Sequence, residues 1–232
     1  MPLPFFYNEN INVETKEVDL NEETSRHIAQ VLRMKTGDAI NLTNGKGYLF
    51  STEILSSNKK KVSVKINDKK YIDPPAKKIS IAISLLKNNT RFEWFLEKAT
   101  EIGIVNVIPL LCSRTERSNF REERMKNILV SAMLQSQQSW LPGLSDPQKF
   151  EKFISTEYSG KKFIAHCSNG TKSSLFSFQE VNSLILIGPE GDFTDEEITT
   201  ALNHNYVEIS LGNTRLRTET AALVAVTLLV LS

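Results

Sequence analysis

The strongest constraint on how this chain can fold is a set of short apolar runs that each stop at a glycine or a polar turn. Leu184-Ile185-Leu186-Ile187 is the clearest, because Gly188-Pro189-Glu190-Gly191-Asp192 follows it at once. Four consecutive apolar residues leave no polar face, so such a strand is buried on both sides, as in a parallel sheet. Tyr206-Val207-Glu208-Ile209-Ser210-Leu211 is a second run, and Gly212-Asn213-Thr214-Arg215-Leu216-Arg217-Thr218-Glu219-Thr220 follows it. In open parallel sheets, ligands bind beyond the carboxyl ends of the strands. Two glycine-bearing loops at neighbouring strand ends therefore form a candidate pocket.

The same alternation runs through the preceding residues. Residues 79–86, 105–111 and 163–167 read as strands, with Pro109 expected to end the second early or to place it at an edge. Residues 90–102 read as a helix with Phe92, Phe95, Leu96, Ala99 and Ile102 on one face and Gly103 at its end. Residues 120–138 read as another, with Met125, Ile128, Leu129, Ala132 and Met133 inward. After Gly191, Thr194-Asp195-Glu196-Glu197 is a capping box, so residues 188–193 form a tight strand-to-helix loop. This βαβ order predicts a mostly parallel sheet with helices on both faces over residues 79–232.

Residues 1–71 follow a different pattern. Strands are expected at 38–42, 48–55 and 62–66, with Asn44-Gly45-Lys46-Gly47 as a hairpin turn, which makes a small β domain. Pro74 and Pro75 mark residues 72–78 as an extended linker. One helix interrupts the strands, capped by Asn21, with Ile28, Val31 and Leu32 expected to face inward and Gly37 marking its end. Arg26, Gln30 and Arg33 recur along its other face at spacings of four and three, and Lys35 follows. That pattern fits either a solvated helix face or a stripe of phosphate-gripping cations.

Composition narrows the classes. A net charge of +1 over 232 residues creates no global demand for nucleic acid or a membrane. Cys112 and Cys167 end expected strands and read as reduced core thiols, and no metal site is expected from His27, His166 and His204, which are too scattered. Only His166 lies at a strand end, where a structural part in the loop is expected. The first residues lack the features of a signal peptide. Residues 221–231 are apolar all round but too short to span a bilayer, which needs about 20 residues. A helix of that kind must be covered on every side, so a partner subunit is expected against it. No Gly-x-Gly-x-x-Gly or phosphate-binding loop follows a strand, which argues against a nucleotide-dependent oxidoreductase.

Together these residues resemble the knotted SPOUT methyltransferases, above all the family that methylates uridine N3 in small-subunit ribosomal RNA. The matching pieces are Ile187-Gly188-Pro189-Glu190-Gly191, Leu211-Gly212 and Leu216-Arg217-Thr218-Glu219-Thr220-Ala221. His27 with Val31-Leu32-Arg33 and Gly37-Asp38 match further upstream, as do Lys98-Ala99-Thr100-Glu101-Ile102-Gly103 and Glu116-Arg117-Ser118. Asp192 stands where the family usually has a second glycine. The resemblance implies an α/β protein with a small PUA-like β-barrel that binds RNA at residues 1–71, and an α/β-knot domain with a trefoil knot at residues 79–232. It implies S-adenosyl-L-methionine held by Ala165, His166, Ile187, Gly188, Pro189, Glu190, Gly191, Leu211, Gly212, Leu216, Arg217 and Thr218. It implies a cytoplasmic homodimer formed through the C-terminal helix and acting on ribosomal RNA. On that reading Arg217 stabilises charge developing on the base and Glu219 orients it or takes the proton. Arg26, Arg33, Lys35, Arg114 and Arg117 then grip phosphates. A non-catalytic RNA-binding assembly factor on the same fold is the alternative.

Overall fold

The computed structural model describes residues 3–116, 119–168 and 170–231, and the chain divides into two compact units. The first holds residues 1–74 together with residues 133–141; the second holds residues 75–132 and 142–232.

The first unit is a mixed five-stranded sheet. Its strands are β1 (Phe5–Tyr7), β2 (Glu17–Asp19), β3 (Ala39–Thr43), β4 (Tyr48–Ser57) and β5 (Val62–Tyr71), in the order β1-β3-β4-β5-β2. Only β1 and β3 run parallel. Ile40, Leu42, Phe50, Ile54, Val62 and Val64 alternate inward from β3, β4 and β5 and close the core with Ile11, Leu20 and Ile28. The expected hairpin turn forms: the Asn44 side chain accepts from the amides of Lys46 (2.9 Å) and Tyr48 (3.3 Å). Residues 139–141 dock on this turn through two backbone bonds, Gly47 N–H to Ser139 O and Leu141 N–H to Gly45 O, both 2.9 Å. The Trp140 indole donates to Ile72 O at 2.9 Å.

The helix before β3 departs from expectation. Asn21 caps α1 (Glu22–Arg26) by accepting from Thr24 N–H at 2.8 Å. The chain then widens into a π-turn over His27–Val31, and Leu32 N–H reaches back five residues to His27 O. The extra residue in the turn shifts the phase of every side chain after it. Ile28 stays fully buried, but Val31 is 66% exposed and Leu32 40% exposed, opposite to the inward placement a regular helix gives them. Met34 packs on the core in their stead. Arg33 lies beyond the helix at φ 55, so it does not continue the helical row of Arg26 and Gln30.

The second unit is an all-parallel sheet. Its main strands are β6 (Lys78–Ser84), β7 (Asn106–Leu111), β10 (Lys161–Ala165), β12 (Asn182–Ile187) and β13 (Val207–Ser210). The short strands β8 (Gly143–Leu144), β9 (Gln148–Lys149) and β11 (Ser173–Ser174) complete the order β11-β13-β10-β12-β6-β7-β8, with β9 also on β7. β7 runs through Pro109 without ending early. β8 pairs with Asn106 and Val107, β9 with Leu110 and Leu111, and the proline sits opposite the gap between them, where its missing N–H breaks no ladder. Helices α2 (Asn89–Ile102), α3 (Glu122–Gln135), α4 (Phe150–Ile154), α5 (Asp195–Asn203) and α6 (Thr218–Leu231) flank the strands. α6 packs against α2 and across β6 and β12. Its Ala222, Ala225, Val226 and Leu229 are buried, while Leu223, Val224, Leu228 and Val230 are only half-buried. Among the described residues no helix is long and apolar enough to cross a membrane.

The hairpin turn gives a controlled test of packing against backbone strain. Gly37 and Gly47 have nearly the same φ, 92 and 90, but a Cβ on Gly47 would meet the Trp140 ring at 2.5 Å, whereas one on Gly37 meets nothing within 4 Å. Gly37→Ala is expected to cost about 1–2 kcal/mol from the backbone alone. Gly47→Ala is expected to cost about 1–3 kcal/mol more, from the forced displacement of the indole. Urea unfolding midpoints should rank wild type, Gly37→Ala, Gly47→Ala; equal midpoints for the two variants would show that the indole yields freely.

Candidate functional site

Parallel register brings the carboxyl ends of the central strands level. Ala165 pairs with Ile187 on one side and Ile209 on the other, and Ile187 pairs with Ile83. The loops that leave β13, β10, β12, β6 and β7 therefore open onto one edge of the sheet. Of the residues singled out from sequence, Ala165, His166, Ile187, Gly188, Pro189, Glu190, Gly191, Leu211 and Gly212 meet there.

The loop after β12 is folded tightly. Asp192 N–H donates to Pro189 O at 2.9 Å, closing a turn, and Phe193 tucks under it, 2% exposed, with its ring 5.7 Å from that of Phe150. Gly188 is needed for this fold-back, since a Cβ there would lie 3.0 Å from the Phe193 ring. The capping box then starts α5: Thr194 Oγ1 accepts from Glu197 N–H at 3.2 Å, and Glu197 Oε2 accepts from Thr194 N–H at 2.9 Å.

Side chains and amides from three other strand ends hold this loop. From the β7 side, Arg114 Nη1 donates to Gly191 O (2.7 Å) and Phe193 O (3.2 Å), and the Ser113 amide and hydroxyl both donate to the buried Glu197 carboxylate. From the β6 side, Lys87 N–H donates to Glu190 Oε1 at 3.1 Å. From the β10 side, Cys167 N–H donates to Asp192 Oδ2 at 2.7 Å. Asp192 lies at φ 64, a conformation that aspartate tolerates better than most residues, and its other oxygen accepts from Phe193 N–H at 2.8 Å. Asp192 therefore holds the left-handed turn and accepts two hydrogen bonds.

His166 is buried at the end of β10, and its Nε2 lies 2.8 Å from Glu208 Oε1 on β13. A carboxylate there fixes the proton on Nε2 and leaves Nδ1 as an acceptor. Nδ1 is buried and has no hydrogen-bond partner among the described residues. Burial holds the His166 pKa below the usual histidine value, aided by the Lys172 charge and opposed by Glu208. Lys172 Nζ donates to the carbonyls of His166 (2.6 Å) and Ser168 (2.7 Å), which folds the following loop back on the strand.

The loop after β13 is more open. Gly212 lies at φ 133, and nothing occupies the space where a Cβ would stand. Leu211 and Leu216 are half-buried, Arg215 and Arg217 are exposed, and Thr218 and Glu219 are buried in the first turn of α6. Arg91, on the first turn of α2, places Nε 3.6 Å from Glu219 Oε1. Among the described residues that is the ion pair Glu219 makes, so its carboxylate faces Arg91 rather than Arg217.

Other expected residues fall differently. Arg26 is exposed and bonded to Glu22 Oε1 at 2.8 Å, one helical turn away. Arg33 and Lys35 are exposed, and Arg117 lies outside the described residues. Cys112 is buried, which pushes its thiol up to about 12 with help from the Glu197 charge, and it is no nucleophile. Cys167 is exposed rather than a core thiol, because it stands two residues past the end of β10, where the chain has already turned out. Sequence reasoning missed Glu208, Arg91, Lys87 and Lys172. Glu208 had a signal, a charge within an otherwise apolar strand beside the histidine's strand. Arg91, Lys87 and Lys172 look like ordinary surface cations.

An RNA methyltransferase domain model matches residues 73–230, and an RNA methyltransferase PUA domain model matches residues 20–67. Ribosomal RNA small subunit methyltransferase E of Bacillus subtilis is 28% identical over 231 residues, covering 91% of this chain and 89% of that protein. The crystal structure of a probable rRNA-methyltransferase from Porphyromonas gingivalis superposes with a TM-score of 0.90 at 35% identity, covering 97% of this chain and 95% of that one. Ribosomal RNA small subunit methyltransferase E from Neisseria gonorrhoeae, solved bound to S-adenosyl methionine, superposes with a TM-score of 0.87 at 25% identity, covering 97% and 95%.

The buried imidazole predicts a pH dependence. The folded state binds the His166 proton less readily than the unfolded chain does, so stability is full above the unfolded pKa of about 6.5 and falls as pH drops below it. Thermal melts at pH 7.5 and 5.5 should show a smaller drop for His166→Asn than for wild type. An identical drop in both would mean that His166 is not held neutral.

Proposed function

The chain belongs to the RNA methyltransferase family, and from that premise we propose that it transfers a methyl group from S-adenosylmethionine to N3 of one uridine in small-subunit ribosomal RNA. The observation that carries this reading is the convergence of the loops after β10, β12 and β13 on one sheet edge, with α6 starting where the loop after β13 ends.

The residues present fit the cofactor. His166 Nδ1 is a buried acceptor in want of a donor, and the backbone at Gly212, past the end of the neighbouring strand β13, is unobstructed. Ala165, His166, Ile187, Gly188, Pro189, Glu190, Gly191, Leu211, Gly212, Leu216, Arg217 and Thr218 are the residues we assign to holding it. When bound, S-adenosylmethionine supplies an electrophilic methyl group on a sulfonium. The chain positions its partner, which matters most in a displacement that needs the reacting atoms in line. The uracil imide must lose its proton, which passes to water, to become a nucleophile, and this places negative charge on the neighbouring carbonyl oxygens. Arg217 stabilises that charge through its guanidinium. Glu219, buried and turned to Arg91, holds the first turn of α6 and so the direction in which Arg217 leaves it. This favours a positioning part for Glu219 over that of proton acceptor.

The remaining assignments follow from the same family reading. The half-buried Leu223, Val224, Leu228 and Val230 on α6 are the surface we assign to a homodimer. The loops at residues 188–193 and 211–217 are those assigned to a trefoil knot. Arg26, Arg33, Lys35 and Arg117 are assigned to RNA phosphates. Arg114, with one nitrogen on two loop carbonyls, is assigned first to the loop and then to RNA. The setting is the cytoplasm, where ribosomal RNA is modified.

Nucleoside mass spectrometry of small-subunit ribosomal RNA from cells with and without the gene tests the activity. 3-Methyluridine should disappear at one position without it; an unchanged level contradicts the reading. Arg217→Ala should keep the wild-type melting temperature and lose about 100-fold or more in methyl transfer. Transfer at the wild-type rate would remove Arg217 from the chemistry.

A further inference from the structure

The first unit carries an apolar surface that the family reading does not use. Val31 and Leu32 face outward only because the chain takes a π-turn at His27–Val31 and then sets Arg33 at φ 55. Both are uncommon backbone states, and an ordinary helix through the same residues would bury both side chains beside Ile28. Two rare states in a row that bring apolar groups into water mark a surface made for contact rather than for packing. The next segment keeps it in place: Gly37 N–H bonds Ile54 O at 2.8 Å, and Ser57 Oγ donates to Met34 O at 2.9 Å. Leu55, on the strand alongside, is also exposed, at 39%.

The charges around it select the partner. Arg33 and Lys35 adjoin the two apolar residues, and Lys59 and Lys60 stand exposed on the turn after Ser57. Of the acids on these elements, Glu22 is engaged with Arg26, Asp19 with Lys61 and Asp38 with the Lys35 amide, while Glu23 and Glu53 are exposed. An apolar centre rimmed by exposed cations matches an unpaired nucleotide, which offers a flat apolar base and an anionic phosphate within one unit. It does not match a paired stem, which hides its base faces. We propose that Val31 and Leu32 form a platform against which the small-subunit ribosomal RNA lays an unpaired base, while Arg33, Lys35, Lys59 and Lys60 hold the flanking phosphates. This rests on the RNA-methyltransferase reading and adds to it which surface reads single-stranded RNA and by what force.

The two kinds of contact respond differently to salt, which separates them. Phosphate contacts release counterions and steepen the dependence of affinity on salt; apolar contacts do not. The probe is unmethylated small-subunit ribosomal RNA transcribed in vitro, measured by filter binding from low to moderate salt. Val31→Ser/Leu32→Ser should raise Kd about tenfold, the size of one lost base contact, with the salt slope unchanged. Arg33→Gln/Lys35→Gln should lower the slope by about two. All four positions are exposed, so melting temperatures should stay at the wild-type value. An unchanged Kd for the serine variant, with the glutamine variant still flattening the slope, overturns the platform and leaves the RNA reading standing. A wild-type protein that does not bind the transcript overturns both. A serine variant impaired only on ribosomal particles and not on naked RNA also overturns it, because the surface then meets a protein.

Discussion

The structure depends on how one short loop has its polar groups satisfied. Residues 188–193 join a strand buried on both faces to a capped helix, and they contain two glycines and one proline. Such a segment buries Gly188, Pro189 and Phe193 but leaves Glu190 and Gly191 exposed, so apolar packing alone does not fix its shape. Hydrogen bonds from elsewhere do so. Arg114 takes two of its carbonyls, the Lys87 amide takes Glu190, and the Cys167 amide takes Asp192. Each donor comes from the carboxyl end of a different strand. The parallel sheet therefore determines where the loop sits, because register places those ends level.

That arrangement explains why the second unit needs its all-parallel order. β10 lies between β12 and β13, so the buried His166 is flanked by both glycine loops and bonded to Glu208 across the β10–β13 pair. α6 then starts where the second loop ends and packs down on β6 and β12. Thr218 and Glu219 are buried at that start, while Arg217 just before them is exposed. The anchored helix thus presents an exposed arginine from a fixed point, as the proposed stabilisation of developing charge requires.

The sheet and its loops were legible in sequence because unbroken apolar runs admit few other fates. The capping box at Thr194 and the hairpin turn at Asn44 were legible because each rests on local side-chain chemistry. Two placements were not. Val31 and Leu32 obey a helical period that the π-turn breaks, and nothing local in the chain announces the extra residue. Residues 139–141 close on the first unit's hairpin through backbone bonds, which carry no side-chain signature beyond Trp140 itself. At the candidate site, the residues expected there follow from strand ends, but their partners do not. Arg91 reaches Glu219 from another helix, and Asp192 bonds the Cys167 amide across 25 positions of sequence. Such pairings are set by tertiary register, which periodicity does not encode.

If the loop is preformed by these contacts, loosening it must weaken what it binds, since ordering it again draws on binding energy. Titration calorimetry of S-adenosylmethionine with wild type and Arg114→Ala measures this directly. The account predicts about tenfold weaker binding in the variant, the weight of one charge-assisted hydrogen bond of about 1.5 kcal/mol, at an unchanged melting temperature. Equal affinity in the two proteins would contradict it.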